Sequence, residues 1–447
     1  MKKRILAILI TAALAVSVTG CANNATSNTE SSAASSVSES SDTSSTETSS
    51  DVVSAEESSQ EESKDLEENY TKYTLDGDLT QHMIDMSRLN EGNKVRLANV
   101  IKKLKNGEEV TVGFIGGSIT QGTSAGNDLC YAKLTADWLQ QTYSGAKVNY
   151  INAGIGATGS YIGVHRVPND LLSKNPDLVF VEFSVNDTTE FTERNKESYD
   201  SLLRTIWKSS TNPAIITIAT TQEDGTSFQD QHAEIVKHYD LPMISYRNTI
   251  LDTIKHGDIV WKDISNDNIH PNVPGHKIVS QLLQAYISDV DKDIDNISGD
   301  ESDFSTPATN AGYENGSLLT LATAGDTVTA NGLIKSNESN FGGFDGYWFF
   351  KGSAKSDLSS TDLTFKVNAK NIGILYGKYI SAGCTADVYV DDELVTTLSS
   401  DFTGGWGNYV ECAQLKSFDT AGEHTVKIVP KAGEGASMFS VTALAIA

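Results

Sequence analysis

Four short segments of this chain carry residue types that can do acyl chemistry together. The first, VTVGFIGGSITQG at residues 110–122, places two glycines and then Ser118 after an apolar run. A serine hydroxyl is a poor nucleophile until a base removes its proton, and imidazole is the side chain suited to that near neutral pH. The last segment, Asp267-Asn268-Ile269-His270-Pro271, offers such a ring at His270. It also offers a carboxylate, Asp267, which can accept a hydrogen bond from the other ring nitrogen and fix the tautomer. Between them lie Asn152-Ala153-Gly154-Ile155-Gly156-Ala157 and Ser184-Val185-Asn186-Asp187. A developing oxyanion needs fixed donors, and the Ser118 N–H, an N–H of the Gly156-Ala157 turn and the Asn186 amide are of the right kind. Taken singly, each segment has an ordinary reading: Ser118 as a helix N-cap, Asn186-Asp187 as a turn, Asp267 and His270 as a surface loop or a metal-ligand pair.

The elements that must position these residues follow from periodicity. Val110, Val112, Phe114 and Ile115 read as a buried strand, and Gly116-Gly117 as a sharp turn that leaves Ser118 at the strand's carboxyl edge. Further strands are predicted at 148–151, 178–183, 214–219 and 243–246. Helices are predicted at 87–105, 131–143, 193–209, 228–238, 248–255 and 274–290. Such alternation indicates a parallel sheet covered on both faces, with the four segments gathered at one edge where open α/β sheets bind ligands.

In this order and context, GGSIT, NAGIGATG, EFSVND and DNIHP resemble the four blocks of the SGNH/GDSL hydrolase superfamily, esterases with a flavodoxin-like fold. The resemblance covers roughly residues 90–290, in keeping with a single domain. It is nearest to the bacterial branch whose first block reads GGSIT, which often carries a β-sandwich and is associated with carbohydrate deacetylation. The likeness implies Ser118 as nucleophile, His270 as base, Asp267 as its orienter and Asn186 as an oxyanion donor. Superfamily members usually have glycine at the second block's donor position, which here aligns with Ala157 beside Gly156, so the identity of that N–H stays open. The implied fold is α/β: a flavodoxin-like three-layer α/β/α SGNH hydrolase domain with a C-terminal all-β sandwich. The implied activity is hydrolysis of short acyl esters, acetyl above all, on carbohydrate hydroxyls. The alternatives are a lipolytic hydrolase of the lysophospholipase or thioesterase type, and a surface protein that binds glycan without catalysis. Arg166 and Trp261, with Tyr161 and His165, lie near the motif loops and either line the substrate site or brace those loops.

At 447 residues the chain exceeds one core, so two folded domains plus tails are expected. A net charge of −25 argues against a nucleic-acid partner, since phosphate binding needs clustered Lys and Arg. Residues 22–68 hold about a dozen carboxylates against the single Lys64 amid Ser, Thr, Ala and Asn, a solvated tether that cannot build a core. Ahead of it stand Lys2, Lys3 and Arg4, an apolar run, and Val18-Thr19-Gly20-Cys21. This resembles a bacterial lipoprotein signal, in which Cys21 becomes the lipidated first residue. The expected plan is a signal at 1–20, a tether at 21–70, the hydrolase at 71–297, a solvated linker at 298–307 and a jelly-roll-like β-sandwich at 308–447. The folded part is then expected outside the cell membrane, held to it through Cys21, with acetylated polysaccharide or oligosaccharide as substrate.

In the C-terminal part, short alternating runs separated by Gly, Asn and Asp indicate strands, and Asp391-Asp392 reads as a hairpin turn. Trp348, Phe349, Phe350, Trp406 and Tyr409 form either a sugar-stacking platform or core. Cys384 and Cys412 are the one pair within a single domain, and their apolar surroundings suit free thiols. Cys130 reads as packing. No metal or cofactor is expected: the eight histidines are scattered, no HExxH or Cys cluster occurs, and Asp291, Asp293 and Asp295 lack the glycine and bidentate acid of a calcium loop.

Overall fold

The first half of the chain alternates helix and strand. Helix α1 (Gln81–Ser87) and strand β1 (Arg88–Asn90) lead into α2 (Val95–Lys105), β2 (Glu109–Gly116), the one-turn α3 (Ser118–Gln121), α4 (Tyr131–Thr142) and β3 (Lys147–Gly154). Then come α5 (Ser160–Asp170), β4 (Leu178–Glu182), α6 (Thr192–Trp207), β5 (Ala214–Ala219) and α7 (Gln229–His238). The domain ends with β6 (Met243–Ser245), α8 (Tyr246–Lys255), the one-turn α9 (Trp261–Ile264) and α10 (Val273–Lys292). The structure is a computed structural model that describes residues 70–336, 343–344, 346–352, 358, 360–381, 383–404, 407–431 and 437–447. Cys21, the signal and tether, and Trp406 lie outside them.

The six strands lie in the order β1-β6-β5-β4-β2-β3, all parallel except β1. The chain leaves β2 toward β3 and then crosses back to β4. The carboxyl ends of β2 and β4 therefore flank a topological switch point, the crevice where doubly wound sheets hold ligands. Alternation along the strands builds the two cores. Val110, Val112, Phe114 and Phe180 face α2, α4, α8 and α10, whereas Ile115, Val179 and Val181 face α5, α6 and α7. Each such fully buried side chain is worth roughly 1.5–3 kcal/mol.

Two elements depart from the periodicity. The helix predicted over 87–105 is interrupted: Arg88–Asn90 pairs antiparallel with β6, and Gly92, at φ +61°, turns against the Leu241-Pro242 backbone before α2 begins. Helix α5 is absent from the sequence reading because Gly163 and Pro168 sit inside it. Gly163 is there for space, since a Cβ would stand 2.7 Å from the Phe183 ring.

Residues 298–307 are mostly exposed, as the linker expectation has it, but Glu301 and Phe304 tie the segment to the first domain. Arg96 Nε donates to Glu301 at 2.7 Å, and the buried Phe304 stacks on Tyr239 and Trp207 at centroid distances of 3.9 and 4.5 Å. The tail of the first domain is thus clamped to α2, α6 and α7.

The second half is all antiparallel: β7 (Ser317–Thr320), β8 (Val328–Asn331), β9 (Ile334–Ser336), β10 (Tyr347–Gly352), β11 (Asp362–Lys378), β12 (Thr385–Val390), β13 (Glu393–Ser399), β14 (Tyr409–Lys431) and β15 (Ser437–Ile446). The long β11 and β14 run through both layers of a sandwich. Their one half pairs with β8 and β12, and the other half of β11 pairs with β15, with register shifts between the halves. Asp391 and Asp392, at φ +52° and +64°, form the predicted hairpin turn between β12 and β13. Trp348 and Phe350 are core, and Tyr409 is half-buried. Cys130, Cys384 and Cys412 are free thiols.

The sandwich packs on α5 and α6. Leu375, Val410, Ala443 and Ala445 join the core that holds Tyr161, Ile162 and Tyr199. Polar ties close the contact: Arg204 Nε donates to Glu314 at 2.7 Å, Gly312 N–H to Glu197 at 2.9 Å, and Thr309 N–H to Asp200 at 2.7 Å.

Candidate active site

Ser118 is the first residue of α3, at the carboxyl end of β2, so its own N–H has no carbonyl to bond within the helix. The two preceding glycines serve close approach rather than unusual backbone angles. Gly117 has φ −88°, and neither Gly116 nor Gly117 has a positive φ. A Cβ on Gly116 would stand 2.1 Å from Thr120 Oγ1 and 2.4 Å from the Glu182 carbonyl oxygen, and one on Gly117 would stand 1.9 Å from Asn186 Oδ1. The sharp turn expected from the sequence is thus explained by crowding from β4 and its loop.

His270 reaches this serine from the loop before α10. Its Nε2 lies 2.9 Å from Ser118 Oγ and its Nδ1 lies 2.9 Å from Asp267 Oδ2. Asp267 Oδ1 accepts the His270 and Ile269 N–H groups at 2.7 and 2.8 Å, so the carboxylate also shapes the loop that carries its partner. Desolvation pulls the Asp267 carboxyl upward but is outweighed by these hydrogen bonds and the His270 ring, which hold it below its usual range. An ionised Asp267 accepts Nδ1–H, which leaves the Nε2 lone pair facing the serine hydroxyl. That is the tautomer a general base needs.

The loop is held from behind. Ser265 Oγ donates to the Asp267 and His270 carbonyls at 2.7 and 2.6 Å, and Trp261 Nε1 donates to the Asp267 carbonyl at 2.6 Å. Trp261 is thus a brace for this loop. Arg166 is a brace as well: it is buried, and its guanidinium donates to the Ala153 and Gly116 carbonyls at 2.6 and 2.9 Å, tying β3 to β2 beneath the serine. His165 faces the sandwich against Gly316, whereas Tyr161 reaches Gly373 of the sandwich and also lines the cavity beside Asn186. Burial lowers the His165 ring to about 4, so it stays neutral there.

The donors expected at the oxyanion position separate into two kinds. Gly156 lies beside the serine, and its would-be Cβ is 3.7 Å from Ser118 Cβ, but its N–H donates to Gln121 Oε1 at 3.0 Å. Ala157 is exposed at φ +58°, a left-handed position that favours glycine, and neither its N–H nor the Asn186 amide has a hydrogen-bond partner among the described residues. Ala157 and Asn186 line one cavity of about 260 Å³.

Sequence reasoning missed the far side of that cavity. Phe191 and Arg194 from the start of α6 line it together with Glu411 and Cys412 of β14, and the same four residues border an adjoining cleft of about 570 Å³ that runs along β14 to Ser417. The β14 residues stand about 140 positions from the nearest motif, and no local pattern marks them. A His82, Asp252 and His256 cluster, with ligand atoms within 4.8 Å of one another, also went unseen. It sits on α1 and at the end of α8 that points away from this edge, and both rings are hydrogen-bonded to Asp252.

Residues 114–278 match the GDSL-like Lipase/Acylhydrolase family. The chain carries a GDSL-like acylhydrolase domain. The acylhydrolase domain and the sandwich together are similar to the crystal structure of a two-domain esterase active on acetylated mannans: 29% sequence identity over 81% of this chain and 97% of the other, with a TM-score of 0.74. The same esterase co-crystallised with mannopentaose matches at 29% identity over the same shares, with a TM-score of 0.73. No curated protein matches the sequence. Both domains of this chain thus have counterparts in one solved esterase, and the α/β domain followed by an antiparallel β domain is the shared architecture.

Proposed function

We propose that this chain is a carbohydrate O-acetyl esterase acting on acetylated polysaccharide of the mannan type, held by lipid on Cys21 at the outer face of the cell membrane. The observation that carries the reading is the Ser118–His270–Asp267 relay, with hydroxyl, ring and carboxylate in series at 2.9 and 2.9 Å.

Ser118 Oγ attacks the acetyl carbonyl as His270 Nε2 takes its proton, and Asp267 supports the imidazolium that forms. The oxyanion receives hydrogen bonds from the Ser118 N–H, the Ala157 N–H and the Asn186 amide. His270 then gives its proton to the departing sugar oxygen, which leaves as the hydroxyl, and a water activated by the same ring releases acetate from Ser118. The cavity beside the donors, about 260 Å³ and bordered by Arg194 and Glu411, suits a small acyl group on a polar backbone better than a long alkyl chain. The likeness to an esterase active on acetylated mannans supports the polymer class.

The test is acetate release from acetylated mannan, acetylated xylan and nitrophenyl esters of increasing chain length. Preference for acetyl esters on mannan supports the reading. Octanoyl esters cleaved far faster than acetyl would favour a lipolytic enzyme, and no release from any ester would favour a glycan-binding protein. Radiolabelled palmitate incorporated by the wild type and not by Cys21→Ala tests the anchor.

A further inference from the structure

Besides the Ser118 N–H, the oxyanion donors come from two loops, one after β3 and one after β4, and nothing in either loop alone fixes the distance between them. A buried carboxylate joins them. Asp187, the residue after Asn186, is 1% exposed, and its Oδ1 accepts the Ser160 N–H at 2.8 Å at the start of α5, three residues after Ala157. Gly159 makes room, since a Cβ there would stand 2.5 Å from the same oxygen. The other oxygen, Oδ2, faces His232 Nε2 at 2.9 Å.

His232 belongs to α7 and to none of the four motif segments. It is 0% exposed, with the Tyr199 ring stacked on it at 3.6 Å and 9° and the Phe228 ring edge-on at 5.2 Å. Its Nδ1 is buried without a partner, so the bond to Asp187 is what engages the ring's polar atoms. A buried histidine that leaves one nitrogen unsatisfied is costly, and the packing around it holds the ring in one plane.

We infer that His232 is a positioning residue for the oxyanion hole: through Asp187 it sets the spacing between the Ala157 turn and the Asn186 amide. This rests on the esterase reading above. Without the Nε2–H, the Asp187 carboxylate keeps its bond to Ser160 but is free to rotate about it. Asn186, attached to Asp187, then shifts relative to Gly117 and Ala157. Misplacement of about 1 Å costs on the order of a hundredfold when the geometry is needed only in the transition state.

The experiment uses the full chain and acetate release from an acetyl ester, with wild-type activity as the control on the reading itself. His232→Phe keeps the flat ring between Tyr199 and Phe228 and removes the donor; kcat should fall by about 10- to 100-fold with KM within about twofold. His232→Gln, whose amide nitrogen reaches the place of Nε2, should return kcat to within about fivefold of wild type. Should His232→Phe not fold, it is placed in an Asp187→Ala background, because the amide nitrogen of Asp187→Asn would still pair with the ring after a switch of tautomer. In the alanine background no pairing remains, and the histidine substitution should change kcat by less than about twofold. A folded His232→Phe with wild-type kcat, a loss expressed in KM, or a Gln variant as slow as the Phe variant overturns the inference and leaves the esterase reading intact. An inactive wild type would instead overturn the reading.

Discussion

Asn186 Oδ1 occupies the space that a side chain on Gly117 would need, 1.9 Å from the position of its Cβ. The glycine before the serine is therefore a seat for the amide. Gly117→Ala should displace Asn186 and lower kcat on acetyl esters by about 10²–10³, the cost of one lost oxyanion donor, and Asn186→Ala should do the same. The two losses should not add, because both remove the same donor. Steady-state kinetics of the single and double variants check this; additive losses would mean that Gly117 has another role.

Asp267→Asn separates the two functions of that carboxyl. The amide oxygen can keep the His270 and Ile269 N–H bonds now made by Oδ1, so the loop should hold and the thermal midpoint should move by only a few degrees. The amide nitrogen then faces Nδ1 and forces the ring to present Nε2–H to Ser118. A base in that tautomer cannot take the serine proton, and kcat should fall by about 10²–10⁴.

Ala157 and Gly156 give different expectations for the donor that the sequence left open. Gln121→Ala frees the Gly156 N–H and should change kcat by less than about threefold, because Ala157 supplies the donor. Ala157→Gly should match the wild-type rate without lowering the thermal midpoint, since glycine adopts the +58° conformation at no steric cost. Ala157→Val should slow the enzyme by at least about tenfold, because a β-branched residue resists that conformation. Rates in the opposite order would assign the donor to Gly156.

A buried acid beneath the site sets a pH dependence of stability. Burial pushes the Glu182 carboxyl up to about 7 from 4.5, against hydrogen bonds from Thr220 and Ser184. Between those values the folded chain holds a proton that the unfolded chain has released, so stability falls as pH rises from 4.5 to about 7 and is level beyond. Glu182→Gln should flatten this slope in thermal melts taken from pH 4.5 to 8. An unchanged slope would place the titration elsewhere.

The sequence made the four motif loops and the parallel sheet legible because each strand is a short apolar run closed by a turn, and β5 coincides with its predicted span. It hid α5, whose Gly163 and Pro168 are read as breakers although one makes room for Phe183 and the helix continues past the other. It also hid β1, where a short stretch takes its conformation from pairing with β6. Arg166 and Trp261 were legible as neighbours of the site, but their contacts with backbone carbonyls are long-range and leave no periodic trace. The β14 side of the cavity could not be read at all, because it exists only once the sandwich docks on α5 and α6.

The central claim is that Ser118 attacks an acetyl ester. The most direct measurement compares acetate release from acetylated mannan by the wild type and by Ser118→Ala, with thermal melts of both. The account predicts release by the wild type, a loss of at least about 10⁴-fold in the variant, and midpoints within a few degrees of each other. Release by Ser118→Ala within tenfold of wild type, or none by the wild type, would contradict it.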